Sequence, residues 1–212
     1  YVGVWSRNFK FKPRSIKKVA ELNEEEFDYN NIIDNSIKNK IKDFDPDLIG
    51  LTCMFSMTHK SLKNVSEAIK KIKNIPIAVG GVHISNSIWN EGTRESLLKD
   101  LDKIDLFFLF EAEILFSDFI NSINNQFNNL SSLKQLVINN KNQSIFFSAR
   151  ERPEGEALNI IPDHEMMHSD ELSFFGKVGN FNFLINKKDR VTTILSNRGC
   201  RAACTFCSVR NF

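Results

Sequence analysis

The sequence has none of the features that would take it to or through a membrane. No apolar run approaches the roughly 18 residues that cross a bilayer, and the first residues show no charged stretch followed by an apolar signal core. A cytoplasmic protein with no membrane partner is therefore the expectation. Cysteine is scarce: of four, three lie between Cys200 and Cys207 and Cys53 stands alone, unlike the scattered pairs of a secreted disulfide scaffold. That distribution implies a reducing compartment and metal chemistry. No strongly basic block is present either. The 28 basic and 26 acidic residues are spread along the chain for a net charge of +2, so nucleic acid is not a favoured partner. Lys70, Lys71 and Lys73 read as a solvated helix face. There is no internal repeat and no initiator methionine, and the chain is expected to start inside a domain.

What is present suits a packed α/β protein. At 212 residues and 42% apolar content the chain can hold one domain and part of a second. Tyr1 to Trp5 reads as a short strand, and Ile33, Ile37 and Ile41 recur at helical spacing up to Pro46. Asp47 to Thr52 predicts a strand covered on both faces, Leu62, Val65, Ile69 and Ile72 a second helix, and Ile75 to Val79 a second covered strand closed by Gly80-Gly81. Arg94 to Leu101 can form a helix, Ile104 to Phe110 a strand and Ile114 to Ile123 a further helix. This alternation predicts a doubly wound parallel sheet, Rossmann-like, with ligands at the carboxyl ends of its strands, in the segments from Thr52, Gly80 and Phe110. Residues 135–138 and 145–147 predict a small hairpin, and Ser148 to Arg190 an interdomain connection. Val191 to Leu195 is β-rich and leads into the cysteine loop. The expected organisation is an α/β domain over 1–130, a hairpin and linker over 131–190, and the start of another domain over 191–212.

The loop Ser196-Asn197-Arg198-Gly199-Cys200-Arg201-Ala202-Ala203-Cys204-Thr205-Phe206-Cys207 has the spacing C-x3-C-x2-C. Three thiolates on one loop can each ligate an iron of a 4Fe-4S cluster, leaving the fourth iron without a protein ligand. Arg198 and Arg201 would offset the negative charge of such a cluster, and Gly199 permits close backbone approach. Structural zinc is the competing reading. It prefers four ligands in paired C-x2-C spacing; no partner pair exists, although His164 and His168 are available. The loop resembles the cluster motif of radical S-adenosylmethionine enzymes. The resemblance implies that Cys200, Cys204 and Cys207 hold the cluster, that S-adenosylmethionine binds the open iron with Phe206 near its adenine, and that reductive cleavage yields a 5'-deoxyadenosyl radical. It also implies that Val191 to Leu195 is the first strand of a partial β/α barrel, and that a flavodoxin or ferredoxin supplies the electron. The chain ends five residues after Cys207, so catalysis by this segment alone is not expected.

The residues ahead of that loop carry a second resemblance. Asp45 to Cys53, then Gly80-Gly81-Val82-His83, then Phe110-Glu111-Ala112-Glu113 are similar to segments of the cobalamin-binding domains of cobalamin-dependent radical enzymes, with Phe110 standing where that family usually has Gly. The resemblance implies cobalamin contacts from Thr52, Cys53, Ser56, Gly80, Gly81, His83, Glu111 and Glu113, and methyl transfer to an unactivated centre of a small-molecule substrate, or a related radical transformation. Each residue has a plainer reading. The Gly pair can be a turn, His83 a hydrogen-bonded loop residue, Cys53 a small buried hydrophobe, and the two glutamates partners of a helix dipole. A D-x-H-x-x-G cobalt-ligand motif is absent; the first strand and helix are expected before Tyr1. Two alternatives compete: a methylthiotransferase, which needs three further cysteines in its leading domain, and a non-catalytic corrinoid-binding or interaction module, against which the intact cysteine spacing argues.

Overall fold

Helix α1, Tyr29–Phe44, stops where the sequence forbids its continuation. Pro46 disfavours helical backbone at the residue before it, and Asp45 turns to a positive φ of 42° while its N–H still bonds the Ile41 carbonyl at 2.9 Å. The computed structural model of the chain describes residues 29–124, 133–140, 145–147, 161, 163, 202, 204 and 205. The expected strands at Tyr1 to Trp5 and Val191 to Leu195 lie outside them, as does most of the expected connection from Ser148 to Arg190.

Beyond α1 the order is β1 (Ile49–Thr52), a 3-10 turn (Ser56–Thr58), α2 (His59–Ile72), β2 (Ile77–Gly80), α3 (Val82–Trp89), α4 (Glu91–Asp100), β3 (Leu106–Phe108), α5 (Glu113–Asn124), β4 (Leu136–Ile138) and β5 (Ile145–Phe147). The five strands lie side by side in sequence order. β1, β2 and β3 are parallel, with Leu51 opposite Val79 and Val79 opposite Phe107. The expected hairpin, β4 and β5, continues the same sheet antiparallel, with Phe107 opposite Val137. The sheet is therefore mixed rather than wholly parallel, and it runs past residue 130.

Helices cover both faces, as a doubly wound arrangement requires. On one side Leu62 and Ile69 of α2, Ile84 and Ile88 of α3 and Leu97 of α4 pack on Ile77, Val79 and Phe107, with Ile41 of α1 behind them. On the other, Leu115 and Phe119 of α5 pack on Ala78, Leu106, Phe108 and Leu136. β2 is buried on both faces, whereas β1 departs from expectation: Ile49 and Leu51 are half-buried, while Gly50 and Thr52 on the opposite face are exposed. At the amino end of the sheet Asp105 accepts from the Ile77 N–H and from Lys70 Nζ, each at 2.7 Å. It thereby ties the start of β2 to α2. Among the described residues no helix is long and apolar enough to cross a membrane.

The chain divides into two compact units, residues 29–160 and residues 1–28 with 161–212. The sheet belongs to the first.

Candidate functional site at the carboxyl edge of the sheet

The three strand-end segments singled out by sequence are joined to one another by hydrogen bonds. The Cys53 N–H donates to the Gly80 carbonyl at 2.9 Å, extending the β1–β2 ladder by one residue, and the His83 N–H donates to the Cys53 carbonyl at 3.2 Å. The third segment is held by Ser85, a buried residue of α3: its Oγ lies 3.2 Å from the Gly81 carbonyl, to which it donates, and accepts the Phe110 N–H at 2.7 Å. A hydroxyl can donate once and accept as well, so one serine serves both loops. Ser85 was not legible as a site residue, because a small polar residue inside an apolar run carries no distinguishing signal.

After β1 the backbone folds into a tight turn. Thr58 Oγ1 donates to the Phe55 carbonyl at 2.8 Å and lies 3.3 Å from the Cys53 thiol. Cys53 itself is buried, which fits the small buried hydrophobe. The turn leaves Thr52 and Ser56 exposed, and with them Phe55 at 65% and Met57 at 85% exposure.

Gly81 opens α3 with φ 112° and ψ 163°, a region nearly restricted to glycine. A Cβ there would meet Cys53 backbone atoms, at 2.5 Å from its carbonyl oxygen. The demand for glycine at 81 thus comes from the packing of one loop on the other. At Gly80 a Cβ would make only an ordinary 3.5 Å contact with the Phe108 carbonyl. Phe110 also has left-handed backbone, at φ 59°, and its ring meets Trp89 edge-on with centroids 5.3 Å apart. Such a conformation favours glycine; here a phenylalanine adopts it and makes the contact with Trp89. Glu111 is half-buried and its carbonyl lies 3.4 Å from Gln135 Nε2, while Glu113 is the first residue of α5, where a carboxylate favourably meets the helix dipole.

His83 does not lie in a loop. It occupies the first turn of α3, with Nε2 3.0 Å from Nδ1 of His59, the first residue of α2. His59 Nε2 is 2.7 Å from Asp100 Oδ2, and Lys63 Nζ bonds the other oxygen of the same carboxylate at 2.5 Å. Hydrogen bonds from Lys63 and His59 hold the Asp100 carboxyl below its ordinary range, and Asp100 raises Lys63 in return. Burial, followed by the neighbouring His59, lowers His83.

Two of the three loops fall within a span similar to a known domain. Residues 9–94 match the B12 binding domain. The two parallel strand ends at Thr52 and Gly80 lie inside that span, and Phe110 to Glu113 lie just beyond it. Two solved structures of the radical S-adenosylmethionine methyltransferase TsrM from Kitasatospora setae are similar to the chain at 12% identity and a TM-score of 0.43. One, with tryptophan substrate and the analogue aza-SAM bound, is covered over 23% of its length by 60% of this chain; the other, with cobalamin and a [4Fe-4S] cluster bound, over 24% by 64%. The chain thus spans about a quarter of their length. Comparison with curated proteins gives no match.

Of the expected cluster ligands, Cys204 is exposed and carries a free thiol. Cys200, Cys207 and Phe206 lie outside the described residues.

Proposed function

We propose that the B12 binding domain seats cobalamin against the carboxyl edge of its sheet, and that the chain is part of a cytoplasmic radical S-adenosylmethionine enzyme that transfers a methyl group to an unactivated centre of a small molecule or performs a related radical transformation. The convergence of Thr52 to Ser56, Gly80 to His83 and Phe110 to Glu113 at one edge carries the reading, since ligands of open α/β sheets bind outside the carboxyl ends of the strands. The edge fits a flat, amide-fringed macrocycle. Phe55 and Met57 offer apolar contact, and the exposed hydroxyls of Thr52 and Ser56 can donate to amide carbonyls or accept from amide N–H groups. When bound, cobalamin supplies a methyl group carried on cobalt, and a 4Fe-4S cluster supplies the electron that cleaves S-adenosylmethionine. This chain's own residues bind and orient. Cys53 and Ser85 fix the three loops relative to one another, and His83, hydrogen-bonded to His59, serves as a contact to the macrocycle rather than as a cobalt ligand.

The donor chemistry of C-x3-C-x2-C fits a cluster with one open iron, with Cys200, Cys204 and Cys207 as ligands and an electron donor such as a flavodoxin or ferredoxin as partner. Anaerobic reconstitution with iron and sulfide should give about four irons per chain. Replacing any one of the three cysteines by Ala should remove the cluster, and Cys53→Ala should leave it. A stable cluster in a double variant of the loop cysteines would refute the ligand assignment.

A further inference from the structure

Beside the carboxyl edge, α2, α3 and α4 enclose an open cleft of about 650 Å³ whose wall includes His59, His83, Lys99 and Asp100 together with the hydroxyls of Ser87, Thr93 and Ser96. Leu97 is the one large apolar residue among those that line it. Asp100, His59 and His83 form a continuous hydrogen-bonded chain in that wall, with links of 2.7 and 3.0 Å.

The chain has a direction. An ionised carboxylate only accepts, so Asp100 obliges His59 Nε2 to carry a hydrogen. In the neutral ring His59 Nδ1 is then the acceptor, and the hydrogen shared with His83 must belong to His83 Nε2. His83 is left with an unprotonated Nδ1. We propose that Asp100 and His59 are positioning residues that fix His83 as a hydrogen-bond acceptor through Nδ1, making this cleft a subsite for a neutral ligand group that donates an N–H, in particular a primary amide. A primary amide also needs a donor for its carbonyl, and Lys99 and the three hydroxyls supply donors along the same cleft. The identity of the amide rests on the cobalamin reading, because primary amides fringe that macrocycle; the tautomer of His83 does not depend on it.

The arrangement also fixes the pH response. A proton added to the imidazole pair places a hydrogen on His83 Nδ1, whichever ring holds the charge, and turns the acceptor into a donor. The charged groups around the pair are Lys63 on α2, and Lys99 and Asp100 on α4, with Lys63 bonded to Asp100. Burial, followed by the nearby His59, lowers His83 below the ordinary histidine range and so disfavours a charge on that ring.

The test uses the full-length protein labelled with ¹⁵N-histidine. Long-range proton–nitrogen spectra at neutral pH should show His83 protonated at Nε2 and bare at Nδ1. His59→Gln, whose amide oxygen can still accept from His83 Nε2, should retain this tautomer, whereas His59→Phe should release His83 to a mixture. A hydrogen on His83 Nδ1 in the unaltered protein at neutral pH would overturn the relay, whether or not any variant folds. The ligand is read separately with hydroxocobalamin: loss of one hydrogen bond in His59→Phe should weaken binding by up to about tenfold, with His59→Gln close to the unaltered protein. The correct tautomer with equal cobalamin affinity in all three proteins would remove the amide subsite and leave the relay. Failure of all three to bind cobalamin would refute the cobalamin reading instead.

Discussion

Replacing Gly81 by Ala should cost much of the domain's stability, and the same change one residue earlier should cost almost nothing. At φ 112° and ψ 163° an alanine pays about 1–3 kcal/mol for backbone conformation alone. Its Cβ would also stand 2.5, 2.8 and 3.0 Å from the carbonyl oxygen, carbonyl carbon and nitrogen of Cys53. Those atoms cannot swing aside as a side chain would, because the Cys53 N–H is bonded to Gly80 and the Cys53 carbonyl accepts from His83. Forcing them apart adds roughly 1–3 kcal/mol, as for other overpacking. The sum, about 2–6 kcal/mol, is a large part of the roughly 5–15 kcal/mol that holds a typical domain together. At Gly80 the nearest atom to a new Cβ is 3.5 Å away, and the loss of chain freedom in the unfolded state can even stabilise by about 0.4–1 kcal/mol. Urea unfolding followed by far-UV circular dichroism should give Gly81→Ala a midpoint well below that of Gly80→Ala, with similar slopes. Equal midpoints for the two variants would show that the Cys53 backbone does not dictate glycine at 81.

Two further substitutions test the same frame by the same assay. Phe110→Gly relieves about 1–2 kcal/mol of left-handed strain but forfeits the packing of a half-buried ring on the core as well as the edge contact with Trp89, so it should be less stable than the unaltered protein and more stable than Phe110→Ala. Phe110→Ala keeps the strain and loses the contact; if it is as stable as Phe110→Gly, the positive φ carries no cost. Asp105→Ala strips the acceptor from the buried Ile77 N–H and should cost about 1–3 kcal/mol, while Asp105→Asn, which can still accept, should cost less. Reversal of that order would refute the role given to Asp105.

The elements that the sequence discloses are those with a full period of buried residues. In α2, Leu62 and Ile69 are buried at a spacing of seven, two helical turns, and the run ending in Val79 and Gly80 is buried on both faces as a central parallel strand should be. Helix α3 is not legible in the sequence because it has eight residues and its N-cap is a glycine, which has no side chain to cap it, so Gly80-Gly81 reads only as a turn before a loop histidine. β1 was expected to be covered on both faces from its apolar character, yet Gly50 and Thr52 face outward, which an alternation of only four residues cannot disclose. The strand-end segments were legible because ladder order sends them to one edge. The hydrogen-bonded group behind them was not. His59 lies 24 residues from His83 and 41 from Asp100, and no local pattern links positions that far apart.

The central claim is that the carboxyl edge of this sheet receives cobalamin, and its most direct measurement is an anaerobic titration of the full-length, cluster-loaded protein with hydroxocobalamin, followed through the visible spectrum of the corrin. Saturable binding of one cobalamin per chain is predicted, together with weaker binding when Ser56 and Phe55 at the exposed turn are both replaced by Asp, which puts charge where an apolar and hydroxyl surface now stands. A folded protein that leaves the cobalamin spectrum unchanged, or a double variant that binds as tightly as the unaltered chain, would contradict the site described here.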